Sequence, residues 1–451
     1  MNMIILAARA HARLLIACAA GLIVALVLVV TLVQRGAAPA SHDSTALAPD
    51  PASVTYRYAA SSTRADQADT IAALEQRLRT TASPMYETAE LAELYYQRAL
   101  LDGDTRDYAA SEAMAQRSLA LVRKPNGALL TLAKLANARH DFRTAIALAR
   151  EHMLANPTSA GYLILATAHL ALGETAAAAE AAHAAVALTP DGNGYLMRAL
   201  VMQAQGRDAE AAFDFARAVR VEAHGDPQGA ARLRALWGRF LLARGELAGA
   251  RRVLAESLRV DPAHGLALAL EGELALRTGK LAEAEALFDQ AFVASRQVRY
   301  LIDQARASQL AGDRAGADAL RSQVEEIVRA ELGEGGLGHR LDLVEVLIDR
   351  GGPAQLAEAV MLAREEVAKR GSPLARFQLA RALARTGQLE DAMDQVQTVL
   401  ATGAREAQIY ELAARLETLR GNAPRAALYR READRLDPGR SGWRELVTGA
   451  R

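Results

Sequence analysis

Nine histidines could supply imidazole chemistry: His11, His42, His140, His152, His169, His183, His224, His264 and His339. No two stand at i and i+4 and none lies in an HExxH, the spacing that puts two zinc ligands on one helical face. His169 is the best placed for function, with an ordinary packed histidine as the simpler reading. The lone cysteine, Cys18, excludes an intramolecular disulfide, a cysteine-based zinc site and a CxxC redox pair. Gly333-Glu334-Gly335-Gly336-Leu337-Gly338 has the glycine content of a phosphate loop. It lacks the GxGxxG order, a preceding strand and a Walker lysine, so it reads as a linker. The adjacent carboxylates Glu325-Glu326 and Glu365-Glu366 point apart on a helix and read as solvated faces. The expectation is a chain that is not an enzyme and has no catalytic, cofactor or metal site.

Composition sets what must position any remaining function. Of 451 residues 51% are hydrophobic but only 4% aromatic, so a large core can be buried without the bulky rings that usually fill one. Alanine, about a fifth of the chain, takes their place and favours helix. Lys and Arg total 53 against 53 Asp and Glu, so no whole-chain field draws the protein to nucleic acid. The cations are nearly all Arg; Lys occurs only at Lys124, Lys134, Lys280 and Lys369.

Residues 14–33, LLIACAAGLIVALVLVVTLV, are 20 uncharged residues, enough at about 1.5 Å each to cross a bilayer core of about 30 Å. Arg9 and Arg13 precede the run and the first acid is Asp43, which predicts a cytoplasmic N-terminus (1–13) and an extracytoplasmic remainder. A signal peptide cleaved at Ala38-Pro39-Ala40 is the competing reading, opposed by the length of the run and by Arg35. A lipoprotein reading of Leu15-Ile16-Ala17-Cys18 meets an apolar stretch that continues past the cysteine. Residues 34–63, rich in Ala, Pro and Ser, read as an extended tether. Residues 64–91 read as a helical N-terminal cap, with Ile71, Leu74 and Leu78 at i, i+3 and i+7.

From 92 to 440 the sequence repeats. Gly173, Gly206, Gly245, Gly279, Gly312, Gly351, Gly387 and Gly421 close helical runs at spacings of 33, 39, 34, 33, 39, 36 and 34. Pro157, Pro190, Pro262 and Pro438 lie about half a unit further on. The unit from Ser159 carries Tyr162, Ala166, Gly173, Ala178, Ala182, Ala185 and Pro190; that from Gly265 carries Leu268, Gly272, Ala275, Gly279, Ala284, Phe288 and Ala291. This pattern resembles the tetratricopeptide repeat (TPR). The resemblance implies an all-α fold: a right-handed superhelical solenoid of about ten helix-turn-helix units, preceded by one transmembrane helix. Units start near 92, 126, 159, 192, 231, 265, 298, 337, 373 and 407, with insertions at 224–229 and 333–338 and a capping helix over 441–451. Alanine and glycine are expected where helices cross closely. Outside the repeats and the apolar run nothing is long enough for a catalytic domain.

In the family resembled, the first helix of each unit lines a concave groove that holds a peptide or partner helix. One projected groove position per unit reads Lys134, Thr167, Leu200, Arg239, Glu273, Arg306, Glu345, Arg381 and Arg415, with Arg277 and Arg385 one turn further on. Guanidinium forks suit carboxylates. Arg239, Arg277, Arg306, Arg381, Arg385 and Arg415 are therefore the candidate partner-binding residues, for an acidic or carboxylate-bearing protein segment. The Lys/Asn/Arg clamp of chaperone-binding members is absent. The resulting expectation is a scaffold anchored in the inner membrane with its solenoid in the periplasm, holding clients for assembly or chaperoning. The alternatives are a non-catalytic accessory subunit, as in cytochrome c maturation or polysaccharide or protein secretion, and a soluble secreted solenoid after cleavage.

Overall fold

The computed structural model describes Leu47, Pro49 and residues 53–58, 63–122, 126–155, 157–333 and 339–438. The expected membrane helix (14–33) with Cys18, the tether up to residue 46, the glycine-rich insertion at 334–338 and the expected capping helix (441–451) lie outside the described residues. No helix among the described residues is long and apolar enough to cross a membrane. The described helices belong to one compact unit, Leu47–Arg451. They number 21, with no strand among the described residues.

After α1 (Thr63–Thr80) the chain forms ten helical hairpins, each an A helix followed by a B helix. The first five are α2 (Met85–Asp102) with α3 (Thr105–Leu121), α4 (Ala128–Ala138) with α5 (Phe142–Ala155), α6 (Ser159–Ala171) with α7 (Thr175–Leu188), α8 (Gly192–Ala204) with α9 (Asp208–Arg220), and α10 (Pro227–Leu242) with α11 (Leu247–Val260). The second five are α12 (Gly265–Arg277) with α13 (Leu281–Ser295), α14 (Val298–Leu310) with α15 (Arg314–Gly333), α16 (Arg340–Arg350) with α17 (Pro353–Arg370), α18 (Pro373–Arg385) with α19 (Leu389–Ala401), and α20 (Ala407–Leu419) with α21 (Ala423–Leu436).

One local device makes the period. Each A helix starts on a side-chain cap where the sequence supplies one: Thr158 accepts from Gly161 N–H at 3.1 Å and Asp191 from Gly194 N–H at 2.8 Å. It ends on a left-handed residue such as Gly173 (φ 77°), whose successor donates back five residues, Glu174 N–H to His169 O at 2.9 Å. That bond satisfies a carbonyl the helix end leaves open and turns the chain into the B helix. In the second hairpin His140 takes the glycine's place at φ 60°, which is why no glycine marks that turn in the sequence.

Packing within a hairpin rests on smallness. Ala166, Ala178, Ala182 and Ala185 are all completely buried. A Cβ added at Gly238 would meet Leu254 at 2.6 Å, and one at Gly272 would meet Phe288 at 2.8 Å. The helices cross where side chains are absent or single methyl groups. Three rings stack in the mid-chain core: Phe215 lies on Trp237 and Phe240 at centroid distances of 6.0 and 5.4 Å.

Two features extend beyond hairpin stacking. Residues 53–58, part of the expected tether, are docked as an extended strap across the fourth and fifth hairpins. Tyr56 N–H donates to Glu256 at 2.6 Å, and Arg234 Nε donates to Val54 O at 2.6 Å. Tyr56 packs on Ala230, Ala231 and Val260, and the Tyr58 ring meets His224 of the 224–229 insertion at 4.7 Å. The second feature is closure of the superhelix on itself. His140 accepts from Arg370 at 3.1 Å, Thr175 donates to Thr402 O at 3.5 Å, and Arg277 grips Asp437. Gly173 lies against Pro373 and Gly245 against Pro438. Each contact joins an A–B turn to chain some four to six hairpins later, so successive superhelical turns touch.

Candidate functional site: the concave groove

Curvature identifies the inner face. Most successive A helices touch one another, and successive B helices make no comparable contact, so the A helices line the concave side. The six arginines expected to bind a partner all lie on A helices, and the structure divides them into two groups.

Four are committed within the chain. Arg306 (α14) and Arg381 (α18) converge from opposite sides on Glu345 of α16, which also takes Arg299 Nη1 at 2.5 Å. Arg381 bonds Glu345 at 3.1 Å and Asp349 at 3.3 Å; Arg306 bonds Asp349 at 3.2 Å and Asp303 at 3.4 Å. Gln378 fills a further acceptor site of Glu345 at 3.1 Å. Glu345 is thus the hub of a network across three A helices. Burial by itself would raise its carboxyl, but Arg299, Arg306 and Arg381 outweigh burial and hold it well below the usual carboxylate range. Arg277 forms paired bonds of 3.2 Å to Asp437 and one of 2.7 Å to Leu242 O. Arg385 caps α16 by donating to Ile348 O at 3.0 Å. Such pairs orient helices more than they add net stability, since desolvation offsets most of the Coulomb gain.

Two are open. Arg239 (α10) and Arg415 (α20) are exposed and make no hydrogen bond or ion pair among the described residues. Arg239 keeps solvent contact, yet protein encloses it closely enough for desolvation to lower its pKa. Glu406 opposes that shift and Arg232 adds to it. Arg232 is therefore a third open guanidinium, seven residues and about two helical turns before Arg239 on the same face. The projection of one position per unit missed it because Arg232 lies seven residues before the position projected for its unit. Glu406, at the N-cap of α20, acts on Arg239 only because the superhelix brings the tenth hairpin against the fifth. Tyr300 of α14 and Tyr96 of α2 face the same two arginines. Lys134, the first cation of the projected line, is bound to Glu93 at 2.6 Å.

Stacked hairpins with an A-helix groove define a class, the solenoid of helical repeats. Residues 236–297 match the tetratricopeptide repeat family, which supports reading the helical hairpins as tetratricopeptide repeats. No curated protein matches it. Similar solved structures include a human IFIT1 dimer with PPP-AAAA, at 14% identity, 83% of this chain, 88% of that one and a TM-score of 0.46. Another is PilW, a widely conserved type IV pilus biogenesis factor, at 18% identity, 44% of this chain, 91% of that one and a TM-score of 0.37.

Proposed function

We infer that this protein is a non-catalytic scaffold that holds a carboxylate-bearing segment of a partner protein in its concave groove. Arg232, Arg239 and Arg415 receive the acidic groups. The observation that carries this reading is the contrast within one groove. The arginines around Glu345 have every carboxylate they need, whereas Arg232 and Arg239 share one face and form no hydrogen bond or ion pair among the described residues; Arg232 repels Arg239, and Glu406 attracts it without forming an ion pair. An arriving carboxylate relieves that repulsion and gains charge-assisted hydrogen bonds, each of about 1.5–3 kcal/mol. Arg277, Arg306, Arg381 and Arg385 serve instead to set groove curvature. In this reading the 14–33 run anchors the scaffold in the inner membrane and the solenoid works on the extracytoplasmic side.

The test is partner capture from solubilised membranes with Arg232→Glu/Arg239→Glu and with Arg415→Glu. At least a tenfold weaker recovery of a specific partner is expected, while Arg385→Gln changes recovery little. Recovery unaffected by all three charge reversals would remove the groove reading. A topology reporter fused after Arg451 tests the orientation, and reporter activity characteristic of the cytoplasm would overturn it.

A further inference from the structure

A second place with uncommitted arginines lies outside the groove. A cleft of about 390 Å³ separates α5, the B helix of the second hairpin, from the A–B turn of the third. Its lining is Arg143, Ile146, Ala147, Arg150, His169 and Glu174. The first four follow at i, i+3, i+4 and i+7, so α5 presents them as a single stripe. His169 closes the inner wall with 8% of its surface exposed, and its Nδ1 stands 2.5 Å from Glu174 Oε2. Glu174 is the one acid in the lining, and it is committed to that histidine.

Arg143 and Arg150 are exposed and have neither hydrogen-bond nor ion-pair partner among the described residues. Nearby Arg139, by comparison, is held by Glu112 at 2.6 Å. The two guanidiniums rise from backbone positions about 10 Å apart along the helix, close enough for both side chains to bend toward one bound molecule. Between them Ile146 and Ala147 offer an apolar floor. The volume falls within the range of small-molecule sites, about 300–1,000 Å³.

We propose that this cleft binds a small organic dianion with an apolar body, the two guanidiniums taking the charges and Ile146 with Ala147 the apolar part. A phosphomonoester and a dicarboxylate share that chemistry, since a guanidinium fork matches either oxyanion. The site is independent of the groove: none of its residues lies on the A-helix face that carries Arg232, Arg239 and Arg415.

Isothermal titration of the full chain in non-ionic detergent decides it, with phenyl phosphate, phthalate and inorganic phosphate as probes. Phenyl phosphate or phthalate saturates one site per chain, and the tighter of the two identifies which oxyanion the cleft takes. Inorganic phosphate, lacking the apolar body, binds more weakly. Arg143→Gln and Arg150→Gln each weaken binding about tenfold, the loss expected for one charge-assisted bond. Arg117→Gln, an exposed arginine on the B helix of the first hairpin, leaves it unchanged. No saturation of either organic probe by about 10 mM, or an equal loss in Arg117→Gln, overturns the proposal.

Discussion

Around Glu345 the same low-dielectric surroundings act in opposite directions on neighbouring carboxyls. Glu345 has three arginines and is held ionised; Asp342, one turn earlier on α16, is half-buried and accepts no hydrogen bond among the described residues. Burial raises Asp342 to about 6 against the pull of Arg299 and His339, with Glu345 and Asp303 adding to the rise. A carboxyl raised on folding binds its proton more tightly in the folded chain. Its contribution to stability is present below its ordinary value of 3.8 and is lost as pH rises toward about 6. Asp342→Asn, which stays neutral, should therefore be more stable than the parent at pH 7, by up to about 2 kcal/mol. Below about pH 3.5 the two should match. Urea unfolding midpoints at the two pH values measure the difference, and a variant less stable at pH 7 would show that Asp342 has a partner to lose.

At the scale of elements, the hairpins were legible because their causes are local. A left-handed glycine, a small residue at the crossing and a cap all recur within about one period, as the units from Ser159 and Gly265 display. The strap was not legible, because 53–58 lacks a helical period and binds residues some 160–200 positions away. Its trace in the sequence is the long spacing after Gly206, where the 224–229 insertion reaches Tyr58. Groove arginines were found by register, but their pairing was not, since Glu345 neutralises residues on helices before and after its own. The strap also explains Arg234, which is fully buried and bonds both Glu222 and the Val54 carbonyl. Deleting residues 47–58 should leave that guanidinium short of an acceptor and bare Ala230, Ala231 and Val260, at a cost of a few kcal/mol. Hydrogen exchange should then quicken selectively in α10 and α11 while α18–α21 keep their protection. Uniform quickening, or none, would mean that the strap is not part of the mid-chain core.

For the whole molecule, closure decides how the groove can work. A solenoid whose turns are apart stretches easily, because each unit contacts only its neighbours. Here the end of α12 is tied to the end of α21 through Arg277 and Asp437, both nearly inaccessible, and similar contacts run along the turn at His140–Arg370 and Thr175–Thr402. A chain with 53 cations and 53 anions lets two turns lie together without net repulsion, so the zero balance has a structural consequence. The clasp also holds the tenth hairpin, with Glu406 and Arg415, against the fifth, with Arg239. Asp437→Lys places like charges at the contact and takes from Arg277 its carboxylate across the turns, which should cost about 3–5 kcal/mol locally. The expected outcome is a hinge between turns rather than global unfolding, because every hairpin keeps its own core. Spin labels at exposed positions 213 and 428, on the fourth and tenth hairpins, should report a longer and broader distance distribution in Asp437→Lys than in the parent. Helical content should be unchanged. Arg277→Met, which removes the buried charge instead of stranding it, should open the turns less. An unaltered distance distribution in Asp437→Lys would show that the turns are held by the backbone path and not by the clasp.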